Sequence, residues 1–521
     1  MNSRASSLFA SLVLLALLGS EAAASANSDV KLVPVNVPRA VPGAVAVKAP
    51  LLGSVAHTNH PLVAQYTVFA PLAGQVSVEF GTSLSYGRST ASKALSGAAG
   101  TLATLGTVKI LVAGMRPNTT YHMRARIDQN GRTLYDSDHT FTTGALPPVS
   151  FPVVNVTRRT SSASGGGVDL VNDLVPTDAQ AVVYDTDGSV IWYYCDPRLT
   201  TVIFPIRQLA NGDFLVAYQS GVREVDLAGN IVRDVTLSQI NAALAAAGYP
   251  FQTTAVHHDV LGLDNGHWIL LVYDYKYFQD LPGYPGTTIV TADAVVDLAP
   301  NNQVAWVWRA FDHLDVNRHP YLFPDLTHSN GLVYLPDGNL LLSMRHQSWV
   351  LKLDYANGTG SGDILWRLGF EGDFTLPANA NASEWFYNQH FPLLLQNVGS
   401  KYRLALYDNG NIRPDATGQP CSNSNSCFSR GVIMDLDESA RMAEVYWQYQ
   451  LPWFSNWGGS IVELPGGYVE IDSSSVNNNP SRVVEVPMGP ARPSVVWEMD
   501  SQNTAFYRAY RIPSLYPGVT W

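Results

Sequence analysis

His328-Ser-Asn-Gly-Leu-Val-Tyr-Leu-Pro-Asp-Gly-Asn-Leu-Leu-Leu-Ser-Met-Arg345 holds two apolar runs around the turn Asp337-Gly338. Apolar runs on either side of such a turn signal a β-hairpin. The stretch leads on to Asp363-Ile-Leu-Trp366, a β-rich tetrapeptide ending in Trp. Both features recur along the chain, and the recurrence decides the fold. Further hairpins are centred on Asn211-Gly212, Asn265-Gly266, Gly399 and Gly466-Gly467. The Trp signature returns as Ser-Val-Ile-Trp192, Gln-Val-Ala-Trp306, Glu-Val-Tyr-Trp447 and Ser-Val-Val-Trp497, with Arg at its end in Asn-Ile-Val-Arg233. Six copies spaced by roughly 40 to 80 residues predict a six-bladed β-propeller. Uneven spacing implies insertions gathered on one functional face. The last strand, near Tyr507-Arg-Ala-Tyr-Arg511, is expected to close the ring beside the first blade.

Upstream of the repeat lie short alternating strands: Val76-Ser-Val-Glu-Phe80, Thr120-Tyr-His-Met-Arg-Ala-Arg126 and His139-Thr-Phe-Thr-Thr143. The passage Leu-Val-Ala-Gly-Met-Arg-Pro-Asn-Thr-Thr-Tyr, ending at Tyr121, resembles the strand-turn-strand of fibronectin type III domains. An immunoglobulin/fibronectin III-like β-sandwich is therefore expected over 27–147, including an extended lead-in. Ala145-Leu-Pro-Pro148 supplies a linker, and the propeller occupies 148–521. The fold class is thus all-β.

Residues 1–26 read as a signal peptide: Arg4, an apolar run from Leu8 to Leu18, and the small-residue site Ala24-Ser25-Ala26. No later stretch reaches the ~18 apolar residues of a membrane span. The protein is expected to be exported, either periplasmic or secreted. A net charge of −11 argues against nucleic acid and anionic membrane as partners. Of the three cysteines, Cys421 and Cys427 lie in one Ser/Asn loop and read as a disulfide suited to an oxidising compartment, while Cys195 reads as a buried free thiol.

Twelve histidines are present. His57, His60, His122 and His139 belong to the sandwich, His313 and His319 to a polar insertion, and His267 to the middle of a hairpin; all read as structural or solvated. His258, His328 and His390 differ. Each stands eight to ten residues before a Gly turn, at the start of a blade's innermost strand. In a propeller those starts meet at one mouth. Trp457 holds the same phase in the next blade and would add an aromatic wall. In His257-His258-Asp259 a carboxylate follows the pair, and strand alternation sends one of the two rings inward, His258 by this reading. His328 and Asn330 are two apart and should share a strand face. Arg345 ends an apolar strand, where an arginine implies an anion.

Converging histidines suggest metal first. Arg345 argues against it, because a cation repels a dication. Histidine with arginine and asparagine suits an oxyanion instead: one imidazole as nucleophile on phosphorus or sulfur, another as proton carrier, and Arg and Asn on the non-bridging oxygens. No metal and no cofactor are expected.

The order His-Asp at a blade start, His-x-Asn, Arg-His at a strand end and Gln389-His390 resembles the bacterial aryl sulfotransferases that need no nucleotide sulfate donor. Leu-Ala-Leu-Tyr-Asp-Asn-Gly410, Ser-Arg430-Gly-Val-Ile-Met-Asp-Leu-Asp437 and Tyr-Arg-Ala-Tyr-Arg511 are similar to that family too. The resemblance implies ping-pong transfer of a sulfuryl group from an aryl sulfate to a phenol. His390 would form a sulfohistidine, with His258 and His328 moving protons and binding sulfate oxygens together with Asn330 and Arg345. Gln389 would orient the nucleophile, Tyr407 and Tyr218 would line an aromatic pocket, and His257 stands with them among the expected substrate-binding residues. A disulfide resembling Cys421–Cys427 lies near the family's active site. A second copy of the chain and a disulfide-forming oxidoreductase during maturation are the remaining candidate partners. Two rival functions stand beside this one: an exported sulfate or phosphate ester hydrolase, and a non-catalytic propeller that binds anionic ligands.

Overall fold

Six sheets repeat one construction, the antiparallel meander that the hairpin spacing predicts. The computed structural model of the chain describes residues 52–70, 73–95, 106–158, 160, 165–173, 179–199, 203–422, 426–477, 480–489 and 493–521. The expected signal peptide and the lead-in up to residue 51 lie outside these residues. Among the described residues there is one α-helix, Leu237–Ala246, so the architecture is all-β. No helix among the described residues is long and apolar enough to cross a membrane.

Four of the six sheets are strict four-stranded meanders. Their first strands are Ile203–Gln208, Val256–Gly262, Ser329–Tyr334 and His390–Val398. The other two join the ends of the chain. Phe506–Ile512 pairs with Val168–Asp173 and so becomes the first strand of the earliest sheet. The Tyr-Arg-Ala-Tyr-Arg stretch, expected to lie beside the first blade, is the strand that makes this pairing. Val154–Arg158 pairs with Trp497–Ser501 and adds a fifth, outer strand to the sheet that starts at Ser460–Leu464. First strands touch in succession, from Ile203–Gln208 to Phe506–Ile512, which touches Ile203–Gln208 again.

The Trp signature falls on the fourth strand of each sheet, and Trp192, Trp366 and Trp497 are wholly buried there. At the exceptional copy, the Arg233 guanidinium lies 3.6 Å over the Trp268 ring, so an indole from the next sheet covers the position. Turn residues Gly266 and Gly338 sit at φ 81° and 82°, a conformation glycine adopts without steric penalty.

Upstream, strands Leu52–His57, Ala64–Ala70 and Gly106–Val112 form one sheet, and Gly74–Gly81 and Thr120–Gln129 lead a second. Tyr66, Val78, Phe80, Ile110 and Met123 pack between the two sheets in one core. Trp521 reaches back to this core and meets Phe80 edge-on at 5.8 Å.

Where the sheets holding Val168–Asp173 and Ser460–Leu464 meet, Arg511 lies among three buried carboxylates. Its Nε lies 2.9 Å from Asp169, its Nη2 3.1 Å from Glu470, and its Nη1 contacts Glu485. Burial, then the Asp169 carboxylate, pushes the Glu470 carboxyl well above its ordinary value. The fold thus keeps a proton that the unfolded chain releases, and stability is lost as pH rises above that ordinary value. Glu470→Gln is neutral in both states. The variant's melting temperature relative to the native protein is expected to climb steadily from acidic to mildly alkaline pH. A pH-independent difference in thermal scans would refute the assignment.

Candidate active site

One local device turns the three predicted histidines toward each other. His258 is the third residue of Val256–Gly262, His328 precedes Ser329–Tyr334, and His390 opens His390–Val398. Each first strand breaks register there, between Val256 and Val260, Ser329 and Gly331, and His390 and Leu393. His258, His328 and Phe391 take left-handed φ values of 55°, 46° and 50°. Such values are uncommon outside glycine and cluster at functional sites. They also overturn the alternation arguments. His328 and Asn330 do not share a face through regular strand geometry, and it is a kink that points His258 inward. The His258 and His328 rings lie 4.8 Å apart, and Tyr507 stands 5.7 Å from His258 and 6.0 Å from His390.

His390 is held in a defined tautomer. The Asn409 amide donates through Nδ2 to the carbonyls of Ser455 and Gly458, so its Oδ1 faces His390 Nδ1 at 2.6 Å. An amide oxygen only accepts, so the His390 proton sits on Nδ1 and the lone pair on Nε2. The Gly458 N–H donates toward that Nε2 at 3.2 Å. Burial, and then the positive Arg345, hold the imidazole pKa well below its usual 6.5. His390 is therefore neutral near neutrality, with Nε2 as its acceptor atom.

Arg345 follows strand Leu340–Met344 and is buried, 6% exposed. It donates to His346 Nε2 at 2.9 Å and to the Asn456 carbonyl at 2.8 Å, while its Nε has no partner. Among the described residues it forms no ion pair. Tyr507 is buried too, and its hydroxyl is likewise unpartnered. Burial raises the Tyr507 pKa, so the group stays a phenol and a donor. Two buried donors without acceptors, beside neutral imidazoles, mark an anion position.

Two carboxylates stand behind the other histidines. Asp325 contacts His328 Nδ1 at 2.6 Å. His258 Nδ1 meets His257 Nδ1 at 2.8 Å, and His257 Nε2 lies 3.2 Å from Asp293. Burial alone would raise Asp293, but His257, the Ser329 N–H and Thr327 hold it down at about 2. Asp293 thus supports both His257 and the turn that carries His328. Burial, then His328, keeps the His258 pKa well below its usual value. The sequence neighbour Asp259 serves elsewhere: it pairs with Arg207 at 2.6 Å and Arg508 at 3.5 Å.

The remaining expected residues sort by what they touch. Asn330 donates to the Gln389 carbonyl at 2.7 Å, and Gln389 donates to Ser343, Met344 and Trp349, so both brace the strand of His390. Tyr407 is core rather than lining: its hydroxyl meets Ser473 and its ring packs under Gly459, behind the loop that reaches His390. Tyr218 gives its hydroxyl to Asp234 and its ring face to Arg223, leaving neither for a ligand. His257 is fully buried behind His258. Trp457 is half-buried, between Asn456 and Gly458, which contact Arg345 and His390. Cys421 and Cys427 form a disulfide against the Asn411 carbonyl, and Asn411 bonds Asn456. Cys195 is half-buried rather than buried, because it lies just past the end of an outer strand.

Sequence reasoning gave no role to Tyr507, Asn409, His346, Asp325 or Asp293. Tyr507 and Asn409 lie inside quoted motifs, and Asp325 stands three residues before His328, so those signals were present. Asp325, His328 and His346 place ligand atoms within 4.8 Å of one another, the count a metal centre needs. Both His346 nitrogens are engaged, however. Arg345 donates to Nε2, which leaves the proton on Nδ1 facing the Asp325 carbonyl. A dication would displace that proton beside a guanidinium, so the arrangement suits an anion better.

Residues 153–511 match the sequence profile of the family described as arylsulfotransferase (ASST). No curated protein matches significantly. Among solved structures, a protein of unknown function from Bacteroides caccae is 10% identical, covering 67% of this chain and 99% of its own, with a TM-score of 0.41. A DUF4221 member from Bacteroides vulgatus is also 10% identical, over 70% and 98%, with a TM-score of 0.32.

Proposed function

Because its profile match spans most of the chain, the protein belongs to the arylsulfotransferase family, and we propose that it moves a sulfuryl group from an aryl sulfate to a phenol through a sulfohistidine at His390. The observation that carries this reading is the buried Arg345, without an ion pair among the described residues, beside a neutral imidazole whose tautomer Asn409 fixes.

In the first half-reaction the His390 Nε2 lone pair attacks sulfur. The bond between sulfur and the aryl oxygen breaks, and its electron pair leaves with that oxygen. His328, backed by Asp325, supplies the proton that neutralises the departing phenolate. Arg345 Nε and the Tyr507 hydroxyl donate to the non-bridging oxygens, where charge accumulates. In the second half a phenol oxygen attacks sulfur, the bond from sulfur to Nε2 breaks, and His258 takes the phenol proton and passes it to His328, whose ring lies 4.8 Å away, which restores the starting state. His258 suits this role because its Nδ1 donates to His257, leaving the Nε2 lone pair for the proton.

The six sheets are read as blades of a six-bladed propeller over 148–521, preceded by an immunoglobulin-like sandwich within 27–147. The cycle of contacts among first strands supports that reading. The disulfide suits an exported protein in the periplasm or outside the cell.

Intact mass after brief exposure to an aryl sulfate, without a phenol, tests the mechanism. Gain of one sulfuryl group, mapped to His390 and discharged by added phenol, is expected. Turnover to free sulfate with no dependence on phenol would instead indicate a hydrolase.

A further inference from the structure

Three strands of the third sheet bring a buried row of polar groups to the back of His258. His257 and His258 lie on the first strand, Val256–Gly262, Tyr273 on the second, Trp268–Leu281, and Asp293 on the third, Tyr284–Leu298. Register sets Tyr273 directly opposite Asp293. The Tyr273 ring stacks on His257 at 4.0 Å and holds the plane of that imidazole. The left-handed φ of 55° at His258 breaks the strand's alternation, so two consecutive rings meet, Nδ1 to Nδ1, at 2.8 Å. His257 and Asp293 are wholly buried, so bulk water does not reach their atoms.

Each proton in this row has one place. Asp293 Oδ2 accepts from the Thr327 hydroxyl at 2.7 Å and from the Ser329 N–H. Asp293 Oδ1 has no other partner than His257 Nε2, 3.2 Å away, and that nitrogen has no other partner than Oδ1. A carboxylate only accepts, so the His257 proton sits on Nε2 and the lone pair on Nδ1. His258 must then donate from Nδ1, which leaves its own lone pair on Nε2. When a phenol attacks sulfur its proton goes to that Nε2. The imidazolium so formed keeps its Nδ1–H on His257, backed by the Asp293 carboxylate. An amide at position 293 would reverse the whole row. Its oxygen would stay with Thr327 and Ser329, because both donate, and its NH2 would turn to His257 Nε2. That nitrogen would become the acceptor, His257 Nδ1 would carry the proton, and His258 would be left protonated on Nε2. A neutral imidazole protonated there takes no proton from a phenol. Inverting a histidine tautomer in this way, with the geometry intact, costs about ten-thousandfold in rate in a Ser-His-Asp triad.

Resting on the transfer reading, we propose that Asp293 is a positioning residue which, through His257, fixes His258 as proton acceptor and so opens transfer to phenols that arrive un-ionised. A phenolate brings no proton and does not need the row. The test is Asp293→Asn in steady-state transfer at mildly alkaline pH. In ping-pong kinetics kcat/KM for each substrate reports its own half-reaction. For phenol as acceptor, with 4-methylumbelliferyl sulfate as donor, it should fall by about a hundredfold or more. For 4-nitrophenolate as acceptor, and for 4-nitrophenyl sulfate as donor, it should stay within about threefold, because neither step then draws on His258 as a base. An equal loss with both acceptors leaves Asp293 a structural residue and overturns the proposal, and so does no loss with either. If Asp293→Asn does not fold, His257→Phe keeps the stack on Tyr273 and cuts the same link, and it should show the same split between the acceptors. Nitrogen NMR of histidine-labelled protein reads the tautomer without turnover. The His258 proton should move from Nδ1 in the native protein to Nε2 in Asp293→Asn, and an unmoved proton overturns the proposal. A moved proton, where the native protein transfers no sulfuryl group, upholds the control of the tautomer and overturns the transfer reading alone.

Discussion

His390→Ala is expected to lower sulfuryl transfer by roughly a thousandfold or more and to abolish the covalent adduct. His258 and His328 also have Nδ1 engaged, by His257 and by Asp325, and take the proton-transfer roles; His390 differs in having an amide oxygen, which can only accept, opposite its Nε2. The variant should still fold, because the loss is two hydrogen bonds, with Asn409 and the Gly458 N–H, and a modest volume. Thermal unfolding together with retained binding of inorganic sulfate would separate lost chemistry from lost structure. The pH profile carries a second reading. Protonation of Nε2 removes the nucleophile, and burial with Arg345 holds that protonation well below the usual histidine range. The acid limb of the rate profile should therefore fall well below pH 6.5, the ordinary imidazole value. A limb at the ordinary value, or an adduct that survives in His390→Ala, would move the nucleophile elsewhere.

The repeat is legible in the sequence because four of the six fourth strands bury their Trp, at Trp192, Trp306, Trp366 and Trp497, and each hairpin needs a Gly turn. Both demands are local, so they survive insertions between them. Arg233 breaks the pattern only in residue type, since Trp268 covers the position from the neighbouring sheet. The convergence of His258, His328 and His390 follows from the same phase. What pattern alone does not carry is the left-handed kink at each strand start. Alternation assumes regular pleats, and φ values of 55° and 46° at His258 and His328 break them. Long-range partners are equally hidden. The carboxylate behind His257 comes from Asp293, on another strand of its sheet, while the adjacent Asp259 is taken by two arginines. Tyr218 and Tyr407 show the opposite error: aromatic residues at strand ends look like pocket walls until their hydroxyls prove engaged.

Arg345→Met should lose about a hundredfold to a thousandfold in kcat/KM yet leave the fold at least as stable as the native protein. The two effects share one cause. A guanidinium 6% exposed, with an unpartnered Nε and no ion pair among the described residues, is a buried charge held by two neutral acceptors and the Tyr321 ring. Replacing it with an apolar chain of similar length removes that desolvation penalty. The lost donations to His346 and Asn456 cost about 1 kcal/mol each, which offsets part of the gain. With substrate present the sign reverses, because the sulfuryl oxygens supply the missing acceptor where charge develops. Arg345→Lys separates charge from shape. An ammonium keeps the charge, but it lacks a planar fork that serves His346, Asn456 and a sulfuryl oxygen together. The lysine variant should therefore recover only a small part of the activity. Inorganic sulfate gives a check that is independent of turnover. It should raise the melting temperature of the native protein by binding only the folded state, and do so much less in Arg345→Met. Equal stabilisation of both proteins by sulfate would mean that the anion is held by other donors, and Arg345 would then be a structural residue.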